Sequence, residues 1–513
     1  MRASGVLLPV SSLPSRYGIG CFSEEAYTFV DQLAEAGQSY WQILPLGPVG
    51  YGDSPYQSFS TFAGNCYYID LDKLIGRGWL TRAECDAVDL GTDDRYVYYE
   101  KEYLGRYGLL RKAFERSGVE QTQAFQDFVE QEKEWLPDYA LFMALKDQHG
   151  GRPWDTWEEA LRNREEKAIA EKRLECKSEI QFHEFLQYEF YRQWRALKSY
   201  ANQKGIQIIG DIPIYVSYDS SDAWTSRELF QFDSDGKPKA VAGCPPDAFS
   251  ELGQLWGNPL YDWDYHRKTG FAWWLRRIGH CFSIYDVVRI DHFRGFDEYY
   301  SIPFGHTDAK RGKWEKGPGM ELFEKVNQTY PDQEIIAEDL GFITDSGRQL
   351  VKDSGYPGMK VLEFGFDTRG DTTSDYLPFM YSNNTVVYTG THDNETLTQW
   401  FCDSIPPEDK RAVRNFLCNY ETPDEEIYFP MICAAMGSVS RMCILPMQDL
   451  LGYGSEARMN TPSTLGNNWK WRLRKGEFSA ALVQTLYETT KVYGRLNPAC
   501  VTLKLQEVEP KGR

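Results

Sequence analysis

The sequence predicts an α/β fold, a (β/α)8 TIM barrel with large insertions in its βα loops. Three observations point there. Short apolar runs rich in Val, Ile and Leu recur eight times, as buried parallel strands do. Amphipathic stretches of helical length separate them. Three of the runs end in acidic residues, at positions where a buried strand has no structural use for a carboxylate.

In chain order the runs are Gly5–Val10, Tyr40–Leu46, Gln207–Ile214, Asp286–His292, Glu334–Leu340, Met359–Phe366, Thr385–Thr391 and Cys443–Leu450. Between them, Ser23–Ala36 closed by Gly37, Phe182–Lys204 closed by Gly205 and Thr344–Asp353 closed by Gly355 read as helices with a glycine just past the last turn. A doubly wound sheet is the alternative, but no G-x-G-x-x-G or G-x-x-x-x-G-K-[ST] opens any of these helices. The second and third runs lie about 160 residues apart and the third and fourth about 70. The expectation is therefore one elaborated barrel domain over residues 1–513, with inserted subdomains at about 47–206 and 215–285. Such insertions extend the loops over the C-terminal mouth of a barrel, where active sites form.

Composition narrows the function classes. The chain has 513 residues, 42% hydrophobic and 26% charged, in the range of a folded globular protein. A formal net charge of −19 would repel a polyanionic nucleic acid. The opening MRASGVLLPVSSLPS holds too short an apolar run for a secretory signal, and no window approaches a membrane span. Neither nucleic acid nor membrane is an expected partner, and a cytoplasmic location is the corresponding expectation. Eleven cysteines form no C-x-x-C pair and seven histidines form no H-E-x-x-H, so no metal or other cofactor is expected. Aromatic residues reach 15%, with 15 tryptophans, which hints at carbohydrate because sugar C–H faces stack on indole and phenol rings. For most of those residues taken singly, core packing is the better explanation.

The acids are found in Val287-Val-Arg-Ile-Asp-His, Ile335-Ile-Ala-Glu-Asp and Thr389-Gly-Thr-His-Asp-Asn, at the ends of the fourth, fifth and seventh strands. Strand alternation puts Arg289 and Asp291 on one side, where the guanidinium would favour the ionised acid that a nucleophile needs; a purely structural Arg–Asp pair is the other reading. Glu338 follows a more apolar run, which would raise its pKa and keep a proton available for donation, with Asp339 beside it as the rival. Asp393 either stabilises charge at a sugar or caps the helix beginning at Asn394-Glu-Thr.

Arg289-Ile-Asp-His-Phe-Arg-Gly, Ala337-Glu-Asp-Leu-Gly and Thr391-His-Asp-Asn-Glu-Thr closely resemble the catalytic segments of the amylomaltases, the 4-α-glucanotransferase or disproportionating-enzyme family of the α-amylase clan. The resemblance runs nearly end to end. It includes Gly52-Asp-Ser-Pro-Tyr-Gln-Ser, Gly210-Asp-Ile-Pro-Ile-Tyr-Val, Gly243-Cys-Pro-Pro-Asp, Gly253-Gln-Leu-Trp-Gly-Asn-Pro and Ala457-Arg-Met-Asn-Thr-Pro-Ser-Thr-Leu-Gly-Asn-Asn-Trp.

It implies a barrel without a separate C-terminal β-sandwich, Asp291 as nucleophile, Glu338 as acid/base and Asp393 as transition-state stabiliser. It also implies sugar contacts from Tyr56, Asp211, Asp247, Gln254, Trp256, Arg289, His392 and Asn460. The implied substrates are maltooligosaccharides and α-glucans derived from starch or glycogen, with glucose as an acceptor and no cofactor. The acids themselves do not separate transfer from hydrolysis by the same residues. The segment Gly243–Tyr261, with Phe249, Leu252, Leu255 and Trp256, reads either as an apolar flap over the site or as a rigid insertion.

Overall fold

Eight parallel strands close into the barrel that the apolar runs predict. The structure is a computed structural model that describes residues 2–500 except 51, 92, 247–250, 342–343 and 371–372. In chain order its strands are β1 (Ala3–Leu7), β2 (Tyr40–Gln42), β3 (Gln207–Ile212), β4 (Ala240–Cys244), β5 (Gln254–Pro259), β6 (Val287–Ile290), β7 (Glu298–Pro303), β8 (Lys313–Lys316), β9 (Glu334–Ala337), β10 (Gly358–Val361), β11 (Thr385–Tyr388) and β12 (Met442–Pro446). The barrel runs β1-β12-β11-β10-β9-β6-β3-β2 and closes on itself, leaving no free edge.

Its strands are mostly apolar because one face meets the barrel interior and the other meets the surrounding helices. Val6, Trp41, Ile208, Val288, Ile336, Val387 and Ile444 are completely buried. A side chain of this size contributes about 1.5–3 kcal/mol on full burial. The strands are shorter than the runs in the sequence, and the acids fall just beyond their ends. The backbone ladder nevertheless continues one step further: Asp291 N–H donates to the Ile212 carbonyl at 2.9 Å, and Glu338 N–H to the Ile290 carbonyl at 3.1 Å. The rim past β6 and β9 is thus tied into the sheet by the same ladder.

Helices fill the outside as expected. In Glu24–Glu35 the residues Ala26, Phe29, Val30 and Leu33 form one buried stripe, and the helix gives way to Gly37 at φ +70°. Thr344 caps Asp345–Ser354 by accepting the Gly347 N–H, and Gly355 ends that helix at φ +78°. The long helix Lys177–Gln203 starts five residues before its reading in the sequence and leads directly into β3. Trp194 on it is fully buried and donates its indole N–H to the Ile284 carbonyl at 3.0 Å, joining this helix to Ala272–Ile284, the helix that precedes β6.

A second sheet was not foreseen. It is four-stranded and antiparallel, in the order β5-β4-β7-β8, and takes two strands from the segment before β6 and two from the segment after it. β4 is hydrogen-bonded on both sides, so the base of the Gly243–Tyr261 segment is held by strand pairing. Its Phe249 lies outside the described residues. After β12 the helix Ala480–Val492 packs on Glu24–Glu35; no β-sandwich follows β12 among the described residues. No helix among them is long and apolar enough to cross a membrane.

Candidate active site

Strand register builds the centre of the site. Asp211 on β3 stands directly opposite Arg289 on β6, so both side chains leave the sheet on the same side. Arg289 Nη1 meets Asp211 Oδ2 at 2.6 Å and Asp291 Oδ1 at 3.2 Å. Asp211 and Arg289 are buried, whereas the Asp291 side chain keeps 29% of its surface exposed at the mouth. Tyr56 donates its hydroxyl to Asp211 Oδ2 at 2.8 Å and lies 2.9 Å from His392 Nε2, with its ring stacked on that imidazole at 16°.

Glu338 sits one residue past β9. Its carboxyl accepts two backbone N–H groups, from His292 at 2.7 Å and from Leu340 at 2.8 Å. The neighbouring Asp339 is turned away: it accepts the Met359 N–H at 2.6 Å and ties β9 to β10. A Cβ at Gly358 would lie 2.5 Å from that carboxylate, which is why β10 opens with glycine. The geometry therefore gives Asp339 a structural bond and leaves Glu338 at the mouth.

Asp393 is not a helix cap. Thr396 caps the next turn by accepting the Gln399 N–H, and Asp393 Oδ1 instead accepts the Asn460 amide at 2.6 Å. The imidazole of His392 is 3.5 Å from Asp393 Oδ2. Asn460, the least obvious of the residues in the sequence, is thus brought into the site from 67 positions away. On the other side, Trp256 donates its indole N–H to Gln254 Oε1 at 3.0 Å, and its ring meets His292 edge-on. Asp247 lies outside the described residues.

Three contributors escaped sequence reasoning. His292 has a left-handed backbone at φ +51°. Trp469, also at positive φ, packs 5.8 Å from both Tyr56 and His392. Arg458 bonds the backbone carbonyls of Asp393 and Asn460 and the Glu395 carboxylate, clipping two loops together. All three lay inside motifs recognised in the sequence, but nothing there assigned them a contact.

Electrostatics depart from the simple expectation that Arg289 holds Asp291 low. Burial pushes Asp291 well above the usual carboxylate range; Arg289 opposes this, while Asp211, Glu338 and Asp393 reinforce it. Arg289 is already engaged by Asp211 at the shorter distance, so its charge is shared. Burial also raises Glu338, against the pull of Arg289 and its two backbone N–H donors. Deprotonating either carboxyl raises the other, and together they retain a proton that separate carboxylates would lose. Burial holds His392 below its ordinary value, with Asp393 opposing, and pushes the Tyr56 hydroxyl up, so Tyr56 remains a donor.

A (β/α)8 barrel whose mouth gathers several carboxyls about one guanidinium, flanked by aromatic rings, has the architecture of enzymes that cleave glycosidic bonds with paired carboxylates. The glycoside hydrolase 77 family model, described as 4-alpha-glucanotransferase, matches residues 8–478. A 4-alpha-glucanotransferase of Clostridium butyricum is 46% identical over 488 residues, covering 95% of this chain and 99% of that protein. One of Thermus thermophilus is 46% identical over 502 residues, covering 96% and 99%. The structure of an amylomaltase from Streptococcus agalactiae in complex with acarbose superposes with a TM-score of 0.93 at 44% identity, covering 96% of this chain and all of that one. The chain belongs to the glycoside hydrolase 77 family of 4-alpha-glucanotransferases. It is an enzyme that transfers segments of 1,4-α-glucan.

Proposed function

We propose that Asp291 is the nucleophile of this transfer, Glu338 its acid/base and Asp393 the group that stabilises positive charge developing at the sugar. The observation that carries this reading is the convergence of the β6 and β9 rims: one guanidinium lies 3.2 Å from Asp291, while the turn after Asp291 donates its N–H to Glu338. In the reactive form the proton is on Glu338 and the charge on Asp291, where Arg289 stabilises it. Glu338 gives that proton to the glycosidic oxygen as Asp291 attacks the anomeric carbon; the C–O bond to the leaving chain breaks and an ester to Asp291 forms. The ionised Glu338 then takes the proton of an acceptor 4-hydroxyl, whose oxygen displaces Asp291 and restores the α configuration. No step needs a cofactor.

Tyr56, Asp211, Arg289, His392 and Asn460 serve this chemistry by orienting the acids and meeting sugar hydroxyls, with Gln254 and Trp256 offering a polar and an aromatic contact on the opposite side. Asp247 belongs to the same proposal from its motif. The substrates are maltooligosaccharides and the α-glucans of starch or glycogen, with glucose as an acceptor; nucleic acid and membrane have no part. The acarbose bound by the Streptococcus agalactiae relative supports an oligosaccharide groove here. We treat residues 1–513 as one catalytic domain, the insertions at about 47–206 and 215–285 forming its outer walls. A cytoplasmic location goes with this reading, supported by buried reduced thiols such as Cys21, Cys66 and Cys443, which burial pushes up to about 11. Incubation with maltotriose tests the whole: glucose must appear together with maltooligosaccharides longer than the substrate. Glucose and maltose without a longer product would identify water as the acceptor and overturn the substrate half of the proposal.

A further inference from the structure

The residue after Asp291 holds a conformation that needs explaining. His292 has φ +51° and ψ +47°, the left-handed region that a residue with a side chain occupies only where its surroundings fix it. Two contacts fix it here. Its N–H donates to Glu338 Oε2 at 2.7 Å, and its ring lies edge-on to Trp256, with centroids 4.9 Å apart and planes at 87°. The Phe293 N–H also reaches the Glu338 carbonyl at 3.0 Å, so the turn grips both the side chain and the backbone of that residue. Gly295 lets the turn close: a Cβ there would lie 2.8 Å from Ile214 and 3.1 Å from the His292 ring. Trp256 is carried by β5, whose partner β4 is itself anchored to β7, so the indole is a firm support.

We propose that His292 is a positioning residue that couples the aromatic platform Trp256 to the acid/base Glu338. The inference rests on the assignment of Glu338 given above. The left-handed backbone aims the N–H at the carboxyl that must hold and then release the proton; an extended residue would turn it away. Trp256 supports the imidazole edge and so maintains that backbone. A sugar resting on Trp256 then bears, through one ring and one peptide, on the group that protonates the bond to be cut.

The charged and titratable groups facing Glu338 are Arg289, Asp291, Asp339 and Tyr376, and a substitution at position 292 leaves all four in place. The N–H bond stabilises the carboxylate form, so losing it raises Glu338 and moves the basic limb of the kcat/KM profile to higher pH. The test compares His292→Val, whose β-branched side chain opposes the left-handed backbone, with His292→Asn, which tolerates it. For His292→Val the basic limb moves up and transfer from maltotriose falls by about a hundredfold, while formation of the glucosyl-enzyme from α-glucosyl fluoride, which needs little protonation, falls far less. His292→Asn keeps the limb in place. Trp256→Ala moves the limb upward in the native background and leaves it unmoved in His292→Asn, where the ring contact is already gone. Identical profiles for the Val and Asn variants, or a limb that ignores Trp256→Ala, would overturn the proposal; if His292→Val does not fold, the two Trp256 backgrounds decide alone. Survival of the basic limb in Glu338→Gln is a separate outcome and would overturn the assignment of Glu338 itself.

Discussion

Two buried arginine–carboxylate clusters in this molecule are built from the same groups and do opposite things. In the helical insertion, Arg106 Nε meets Glu102 Oε2 at 2.5 Å with both side chains fully buried, and its other nitrogens donate to the Ile69 and Tyr17 carbonyls at 3.0 and 2.8 Å. Arg472 adds a second positive field at Glu102. There one carboxylate lies between two guanidiniums. At the mouth the ratio is reversed: Arg289 alone serves Asp211, Asp291 and Glu338. Burial raises the Glu102 carboxyl, but two guanidiniums oppose that rise and no second carboxyl adds to it, so the cluster serves as a fastener. A cluster with carboxyls in excess cannot ionise fully, and so keeps a proton to move.

The comparison breaks first at Asp291. Replacing it with Asn removes the nucleophile and one of the crowded anions together. Turnover of maltotriose should fall on the order of 10⁴-fold or more, while the thermal midpoint stays level or rises. A variant that loses activity only because it unfolds would show that the mouth is a fastener too. The next largest effect is expected at the other cluster and with the opposite signature. Glu102→Gln strips the charge from a buried pair and leaves Arg106 uncompensated, which should cost about 3 kcal/mol in denaturant unfolding. Turnover per folded molecule should not change, and a specific loss of kcat there would contradict the division drawn between the two clusters.

Much of this was legible in the sequence, for reasons that also explain what was not. Buried parallel strands are nearly continuous apolar runs, so all eight barrel strands show themselves, and an acid at the end of such a run stands out against its neighbours. Pairing register leaves no such trace. That Asp211 faces Arg289, and thereby divides the guanidinium between two aspartates, depends on which strands lie side by side. The same holds for β7 and β8, whose partners β4 and β5 come from the other side of β6. Asp393 was ambiguous because an Asp before Asn-Glu-Thr is a fair N-cap by local chemistry; the distant Asn460 decides the matter. His292 was hidden more deeply, since its importance lies in a backbone angle that sequence marks clearly only when glycine carries it.

A third arrangement sharpens the comparison, a carboxyl with no cation of its own. Glu184 lies partly buried on the long helix Lys177–Gln203, and burial pushes it up to about 7, with only Arg173 opposing. Arg173 is occupied, since it holds Asp138 at 2.6 Å. The folded pKa therefore lies above the unfolded value of about 4.3, and the native state binds more protons than the unfolded chain between those two limits. The penalty for charging this side chain is absent below about pH 4, grows as pH rises and is complete above about pH 7, so this residue makes stability fall with pH across that window. Because the side chain is partly exposed, the loss should be about 1–2 kcal/mol rather than the full value of the shift. Glu184→Gln removes the titration: the variant and the parent should be equally stable near pH 4 and diverge in the variant's favour toward pH 7, measured as denaturation midpoints at matched ionic strength. The kcat/KM profile should be the same for both, because the proton at Glu184 is remote from the mouth. Parallel stability curves would mean that water already reaches this carboxyl, and that excess of cation at Arg106 and excess of carboxylate at Arg289 are then the two arrangements with a measurable consequence.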